Sequence, residues 1–135
     1  MILKAKKIKF KLAKVNGKLP KVSANSERIK MVIQNLLDNA IKYTPENGNI
    51  EISIKPKKTE VEFKIKDSGI GIPEEQKERI FTRFLRGINT TGATGSGLGL
   101  AIAKDIIKKS HGKIWFLSKE NEGSTFFFSL PTMGN

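Results

Sequence analysis

The sequence predicts an α+β fold. It is a two-layer α/β sandwich in which a mixed, mostly antiparallel sheet carries its helices on one face. Three observations lead there. Short runs with an apolar residue at every second position read as strands, and longer runs with one at every third or fourth read as helices. These elements follow one another as β, α, ββ, short α, long loop, α, ββ, which is not the strict alternation of a parallel α/β sheet. Finally, 135 residues with 38% hydrophobic and 28% charged side chains suit a single domain, 1–135, built on one core.

The first strand is carried by Ile8, Phe10 and Leu12 alternating with Lys7, Lys9 and Lys11. It should be half-buried with a lysine face, which suits a sheet edge because charge blocks pairing with other chains. Asn16-Gly17 and Pro20 mark turns. Asn25 or Ser26 is placed to cap a helix running to Tyr43, with Ile29, Val32, Ile33, Leu36, Leu37, Ala40 and Ile41 at helical spacing. Thr44-Pro45 stops it. Ile50, Ile52 and Ile54, then Val61, Phe63 and Ile65, make an antiparallel pair turning at Lys57-Lys58. Pro73 opens a short charged helix, Glu74 to Phe84. Residues 85–99 hold five Gly and few large apolar residues, which reads as a long functional loop. A second helix spans about 97–110, with Leu98, Ile102, Ala103, Ile106 and Ile107 on one face. Ile114 and Phe116 pair with Phe126, Phe128 and Leu130 to close the sheet, with Phe127 on its other face.

Composition excludes several chemistries. Without cysteine there is no disulfide framework, thiolate zinc site or cysteine catalysis, and one histidine argues against a triad or a His-rich metal site. No stretch approaches the roughly 20 apolar residues of a membrane span. The net charge of +12 raises nucleic-acid binding as a candidate. Eight of the lysines, however, fall in residues 1–21, where alternation explains them as a solvated face without aromatic residues for base stacking. His111 sits just after the second helix and before Gly112, a position that caps helix carbonyls.

Three features carry chemistry. On a helix turning about 100° per residue, Asn35, Asn39 and Lys42 share one face beside the apolar stripe. Two mid-helix Asn are costly, because their side chains compete for backbone bonds. They are either a solvated face or a set of amide and ammonium groups for Mg²⁺ and phosphate. Asp67 continues the inward parity of Val61, Phe63 and Ile65, which aims a carboxylate into the layer interior. Asp67-Ser68-Gly69-Ile70-Gly71-Ile72-Pro73 is then either a plain turn or a close backbone approach around a base with an amino group. Gly95-Ser96-Gly97-Leu98-Gly99-Leu100 enters the second helix as an anion-binding N-terminus, without the Gly-Lys-Ser/Thr of a P-loop.

Taken together, Asn35-Leu36-Leu37-Asp38-Asn39-Ala40-Ile41-Lys42-Tyr43-Thr44-Pro45, Asp67 to Pro73, Ile80-Phe81-Thr82-Arg83-Phe84-Leu85-Arg86 and Gly95 to Leu100 resemble the N, G1, F and G2 boxes of the sensor histidine kinase ATP-binding domain. The resemblance covers about Ile8 to Leu130. It implies the Bergerat fold of the GHKL superfamily, ATP and Mg²⁺ as ligands, and a role as a protein-histidine kinase domain. By the same resemblance, Asn35 ligates Mg²⁺, Asn39 and Lys42 meet the phosphates or their metal, and Tyr43 stacks on adenine. Asp67 accepts from the adenine amino group, with Gly69 and Gly71 admitting the base. Arg86, and less directly Arg83, reaches the distal phosphate. The lid of about 85–99 closes over the triphosphate through amides near Gly95, Gly97, Leu98 and Gly99. Thr125 matches a threonine beside the base, in a box that departs from the family pattern. ATP-hydrolysing relatives resemble this helix but carry Glu where Asn35 stands. Asn cannot act as a general base, so transfer is favoured over hydrolysis.

The implied partners are a dimerisation domain carrying the phosphoacceptor histidine, which this chain lacks, and a response regulator downstream. Neither nucleic acid nor direct membrane contact is expected, and the isolated domain should be a monomer in the cytoplasm, with a parent that could be membrane-anchored. The alternative within the superfamily is a regulatory nucleotide-binding module, such as a protein-serine kinase or anti-sigma-like factor.

Overall fold

The computed structural model describes residues 7–13, 20–81 and 99–133. Their order is β1 (Lys9–Leu12), α1 (Ser26–Tyr43), β2 (Asn49–Pro56), β3 (Glu60–Asp67), a short 3-10 helix (Glu74–Arg79), α2 (Gly99–Lys109), β4 (Lys113–Lys119) and β5 (Gly123–Pro131). The five strands form one sheet in the order β1-β2-β3-β5-β4. Only β1 and β2 run parallel, so the sheet is mixed and mostly antiparallel.

Both helices cover one face. Asn25 caps α1, its side chain accepting from the Arg28 N–H at 3.0 Å. The helix buries Val32, Leu36, Ala40 and Ile41. It ends where the Thr44 hydroxyl donates to the Ala40 carbonyl at 2.6 Å, ahead of Pro45. α2 buries Ala103, Ile106 and Ile107. Against them lie Ile50, Ile52, Phe63, Ile65, Phe126, Phe128 and Leu130, one row per strand at period two. Each such aliphatic side chain contributes about 1.5–3 kcal/mol when fully buried, so this interface holds the two layers together. On the opposite face Trp115 and Phe127 stack with centroids 5.0 Å apart, as the outward parity of Phe127 requires.

Three expectations are corrected. β1 is exposed rather than half-buried: Phe10 and Leu12 are 41% and 69% exposed. They stand in register with Ile50 and Ile52, but on the edge strand no further strand among the described residues flanks them. Only Ile8, just before the strand, packs onto the core. The charged stretch after Pro73 forms a 3-10 helix that stops at Arg79, with Ile80 and Phe81 in a turn and Thr82 to Phe84 outside the described residues. The Gln76 N–H reaches the Pro73 carbonyl, and Lys77 is drawn to the Ser118 carbonyl at 2.7 Å. Phe81 then anchors the segment edge-on against Phe116 and Phe126. Ile102 is exposed, because α2 turns Ala103, Ile106 and Ile107 inward and leaves it at the margin of that stripe. α2 runs Gly99–Lys109, and the expected start at Gly97 and Leu98 lies outside the described residues. At its other end His111 has φ +65 and its N–H reaches the Lys108 carbonyl, so it closes the helix through its backbone.

Candidate functional site

Period two places Asp67 at the end of β3 on the helix-facing side, where it is 4% exposed. In register it lies between Ile50 on β2 and Ser124 on β5. A carboxylate there must be hydrogen-bonded to be tolerated. Its Oδ1 accepts from the Gly69 N–H at 2.8 Å and from the Ser124 N–H at 3.2 Å. Burial still outweighs these two bonds, and the carboxyl is pushed above the usual carboxylate range. Among the described residues both donors go to Oδ1, so Oδ2 keeps its lone pairs for a ligand.

The loop after Asp67 is shaped by close approach. A side chain on Gly69 would meet the Tyr43 carbonyl at 2.3 Å and Asp67 Oδ1 at 2.8 Å. Gly71 has φ +75, and a Cβ there would lie 2.2 Å from the Lys119 carbonyl. The Ile70 N–H donates to the Tyr43 carbonyl, and the Asn121 N–H to the Ile70 carbonyl. The loop is therefore gripped on one side by the end of α1 and on the other by the β4–β5 turn. Tyr43 is half-buried, which raises its phenol pKa. The Lys42 ammonium lies 5.6 Å from the centre of its ring.

One end of this cradle adjoins the polar face of α1. Asn35, Asn39 and Lys42 are each half-buried and lie along one line of the helix, as their spacing predicts. Asn35 Nδ2 donates to the Gly99 carbonyl at 3.2 Å, joining the middle of α1 to the start of α2. A Cβ on Gly99 would stand 3.6 Å from Asn35, an ordinary contact, so packing alone does not demand glycine there. With its nitrogen tied, Asn35 offers its carbonyl oxygen to a hard cation, the donor type that Mg²⁺ takes. No cluster of three His, Cys, Asp or Glu that could hold a metal occurs among the described residues.

Asn35, Asn39, Lys42, Tyr43, Asp67, Gly69, Gly71 and Gly99 thus fall on one connected run formed by α1, the loop after β3 and the start of α2. Arg83, Arg86, Gly95, Gly97, Leu98 and nearly all of the lid lie outside the described residues. Thr125 is corrected. It pairs with Lys66 and Leu117 on the outer face of the sheet, one residue out of phase with Asp67. Ser124 is the residue beside Asp67, and it is buried. Parity could have found it, because the inward row of Phe126, Phe128 and Leu130 extends back to position 124. The row of Ile114 and Phe116 likewise extends to Ser118, whereas Lys77 carried no such signal.

Comparison with known proteins adds the following. The profile of the family described as "Histidine kinase-, DNA gyrase B-, and HSP90-like ATPase" matches residues 24–133. The adaptive-response sensory kinase SasA of Gloeothece citriformis is 50% identical over 114 residues, 84% of this chain and 29% of that protein. SasA of Rippkaea orientalis is 46% identical over the same shares. The chain spans under a third of the length of these relatives. Among solved structures, the catalytic domain of histidine kinase ThkA superposes with a TM-score of 0.82 at 40% identity, covering 96% of this chain and 84% of that one. The full-length ShkA structure, in complex with AMPPNP, gives 0.82 at 27% identity, covering 99% of this chain and 28% of that one. ThkA in complex with the response regulator TrrA gives 0.77 at 39% identity, covering 97% of this chain and 36% of that one.

Proposed function

The chain belongs to the histidine kinase-, DNA gyrase B- and HSP90-like ATPase family, and from that premise we propose that it is the ATP-binding catalytic domain of a two-component sensor histidine kinase. The observation that carries the reading is the buried Asp67 carboxylate. One oxygen is saturated by backbone N–H groups and the other is left for a donor, next to a glycine loop with no room for side chains. An adenine amino group meets that requirement.

Asp67 and the loop 69–71 orient the base, and Tyr43 provides a flat apolar surface for it. Asn35, Asn39 and Lys42 hold the triphosphate end. The amide oxygens of Asn35 and Asn39 fit Mg²⁺, which when bound neutralises phosphate charge. Arg86 reaches the distal phosphate. In transfer, the bond from the γ-phosphorus to its bridging oxygen breaks as a bond to an imidazole nitrogen forms, and ADP leaves. The protein's contribution is positioning and charge. Asn35 has no proton-accepting group, so water is not activated and the phosphoryl group passes to histidine instead. That histidine lies on a separate dimerisation domain, with a response regulator downstream. This agrees with relatives named as sensory kinases and with the solved ThkA–TrrA complex. No helix among the described residues is long and apolar enough to cross a membrane. In this reading the catalytic domain works in the cytoplasm, as a monomer before docking.

The test is to incubate the domain with γ-labelled ATP, Mg²⁺ and a dimerisation–histidine domain in trans. Acid-labile, base-stable label on that domain is the expected result. Acid-stable label, or none, would overturn the reading.

A further inference from the structure

Building on the adenine reading above, we propose that Ser118 is a positioning residue of the base pocket. It fixes Ser124 as a hydrogen-bond acceptor and so tilts the pocket toward a 6-amino purine over a 6-oxo purine.

Ser118, Ser124 and Asp67 form one row across β4, β5 and β3, each paired in register with the next. The Ser118 hydroxyl is a three-way junction. It lies 2.8 Å from the Ile72 N–H, 3.2 Å from the Gly123 carbonyl and 2.8 Å from Ser124 Oγ. A hydroxyl has one hydrogen and two lone pairs. The Ile72 amide can only donate, so it takes one lone pair. The Gly123 carbonyl can only accept, so it takes the hydrogen. With the hydrogen on Gly123, the lone pair that remains is left for the Ser124 hydroxyl hydrogen, the direction we infer for this contact.

With its hydrogen committed to Ser118, Ser124 has only lone pairs to offer, and it stands beside a carboxylate that is acceptor-only once ionised. Two adjacent acceptors match the paired N–H groups of an exocyclic amine and repel the oxygen of a 6-oxo purine. Ser118 acts at a second point too, since its bond to the Ile72 N–H ties down the end of the loop 69–72. The Lys77 ammonium, on the Ser118 carbonyl at 2.7 Å, steadies the same stretch of β4. Removing the Ser118 hydroxyl frees Ser124 to rotate and donate, which relaxes the discrimination.

The experiment measures ADP and GDP affinity of the chain by calorimetry, alongside its melting temperature. Ser118→Ala should narrow the ADP-over-GDP preference by about fivefold, the scale of one hydrogen bond. Ser118→Thr, which keeps the hydroxyl, should restore it. Ser124→Ala removes the acceptor directly and should narrow the preference to the same degree, which keeps the test decisive if Ser118→Ala folds poorly. A lowered melting temperature with the preference held within about twofold in both alanine variants marks a merely structural role and overturns the proposal. Asp67→Asn separates the two readings. If it collapses the preference while the serine variants do not, only the Ser118 proposal falls. If it leaves the preference intact, the adenine reading falls and this proposal with it.

Discussion

The two ends of the candidate site are built differently. The base end is assembled from backbone. Asp67 is set by the register of three strands, and its donors are peptide N–H groups of Gly69 and Ser124. The loop beside it is held by backbone bonds, Ile70 donating to the Tyr43 carbonyl and accepting from the Asn121 N–H. The phosphate end is assembled from side chains. Asn35, Asn39 and Lys42 stand half-buried on α1, and one hydrogen bond donated by the Asn35 side-chain amide reaches the carbonyl of Gly99 at the start of α2. A backbone-built cradle cannot adjust without moving the sheet, so it suits recognition of one fixed shape. A row of side chains on a helix can follow charge as it shifts during transfer. Selectivity is thus expected to reside at the first end and chemistry at the second.

Substitutions can break or sharpen this contrast. The largest effect is expected at the phosphate end: Asn39→Ala should lower phosphoryl transfer roughly a hundredfold, the scale of losing a preorganised charge-stabilising group. Circular dichroism and melting should be almost unchanged. A parallel loss of folding would blur the division between the two ends. Next comes Gly71→Ala at the base end. Its positive φ and the blocked Cβ direction predict a loss of about 2 kcal/mol in chemical denaturation, with no route to relief by side-chain rotation.

Asp67→Asn should weaken ADP binding about tenfold, since a charged acceptor is replaced by a neutral one. The fold should persist, because the new amide oxygen can still accept from Gly69 and Ser124. The pH dependence has a definite sign. Burial raises the folded pKa of Asp67 above its unfolded value, so the folded state holds its proton more tightly. The resulting stability is present below the unfolded pKa and is lost as pH rises through the raised folded value. Wild type should therefore lose stability relative to Asp67→Asn across that window, measured by melting at stepped pH. ADP affinity of wild type should rise over the same window as the carboxylate becomes free to accept.

The smallest effect is predicted for Asn35→Ala on stability, about 1 kcal/mol for one part-buried hydrogen bond to the Gly99 carbonyl. Transfer should fall far more than that, and equal losses in the two assays would reduce Asn35 to a tether between helices.

Much of the site was legible before any coordinates because it depends on local periods. The spacing of Asn35, Asn39 and Lys42 determines a shared helix face whatever the helix packs against. The inward direction of Asp67 follows from Val61, Phe63 and Ile65 by alternation alone, and the outward direction of Phe127 follows from its neighbours in the same way. Thr125 shows how narrow that reading is: a shift of one residue moves a strand position to the opposite face, and Ser124 rather than Thr125 pairs with Asp67.

What the sequence by itself determined was therefore periodicity: two amphipathic helices, the alternating strands, and which side chains of each share a face. Tertiary structure alone decided which strands meet and in what register. Register brought Ser118, Ser124 and Asp67 into one row from three separate strands and set Tyr43 against the glycine loop. It also left Phe10 and Leu12 exposed, because a strand's burial depends on what flanks it in the sheet and not on its own alternation. The physical reason is range. Backbone sterics and side-chain period act over a few residues, whereas pairing between β3 and β5 joins residues 57 apart at Asp67 and Ser124, a choice that only the packing of the whole core makes.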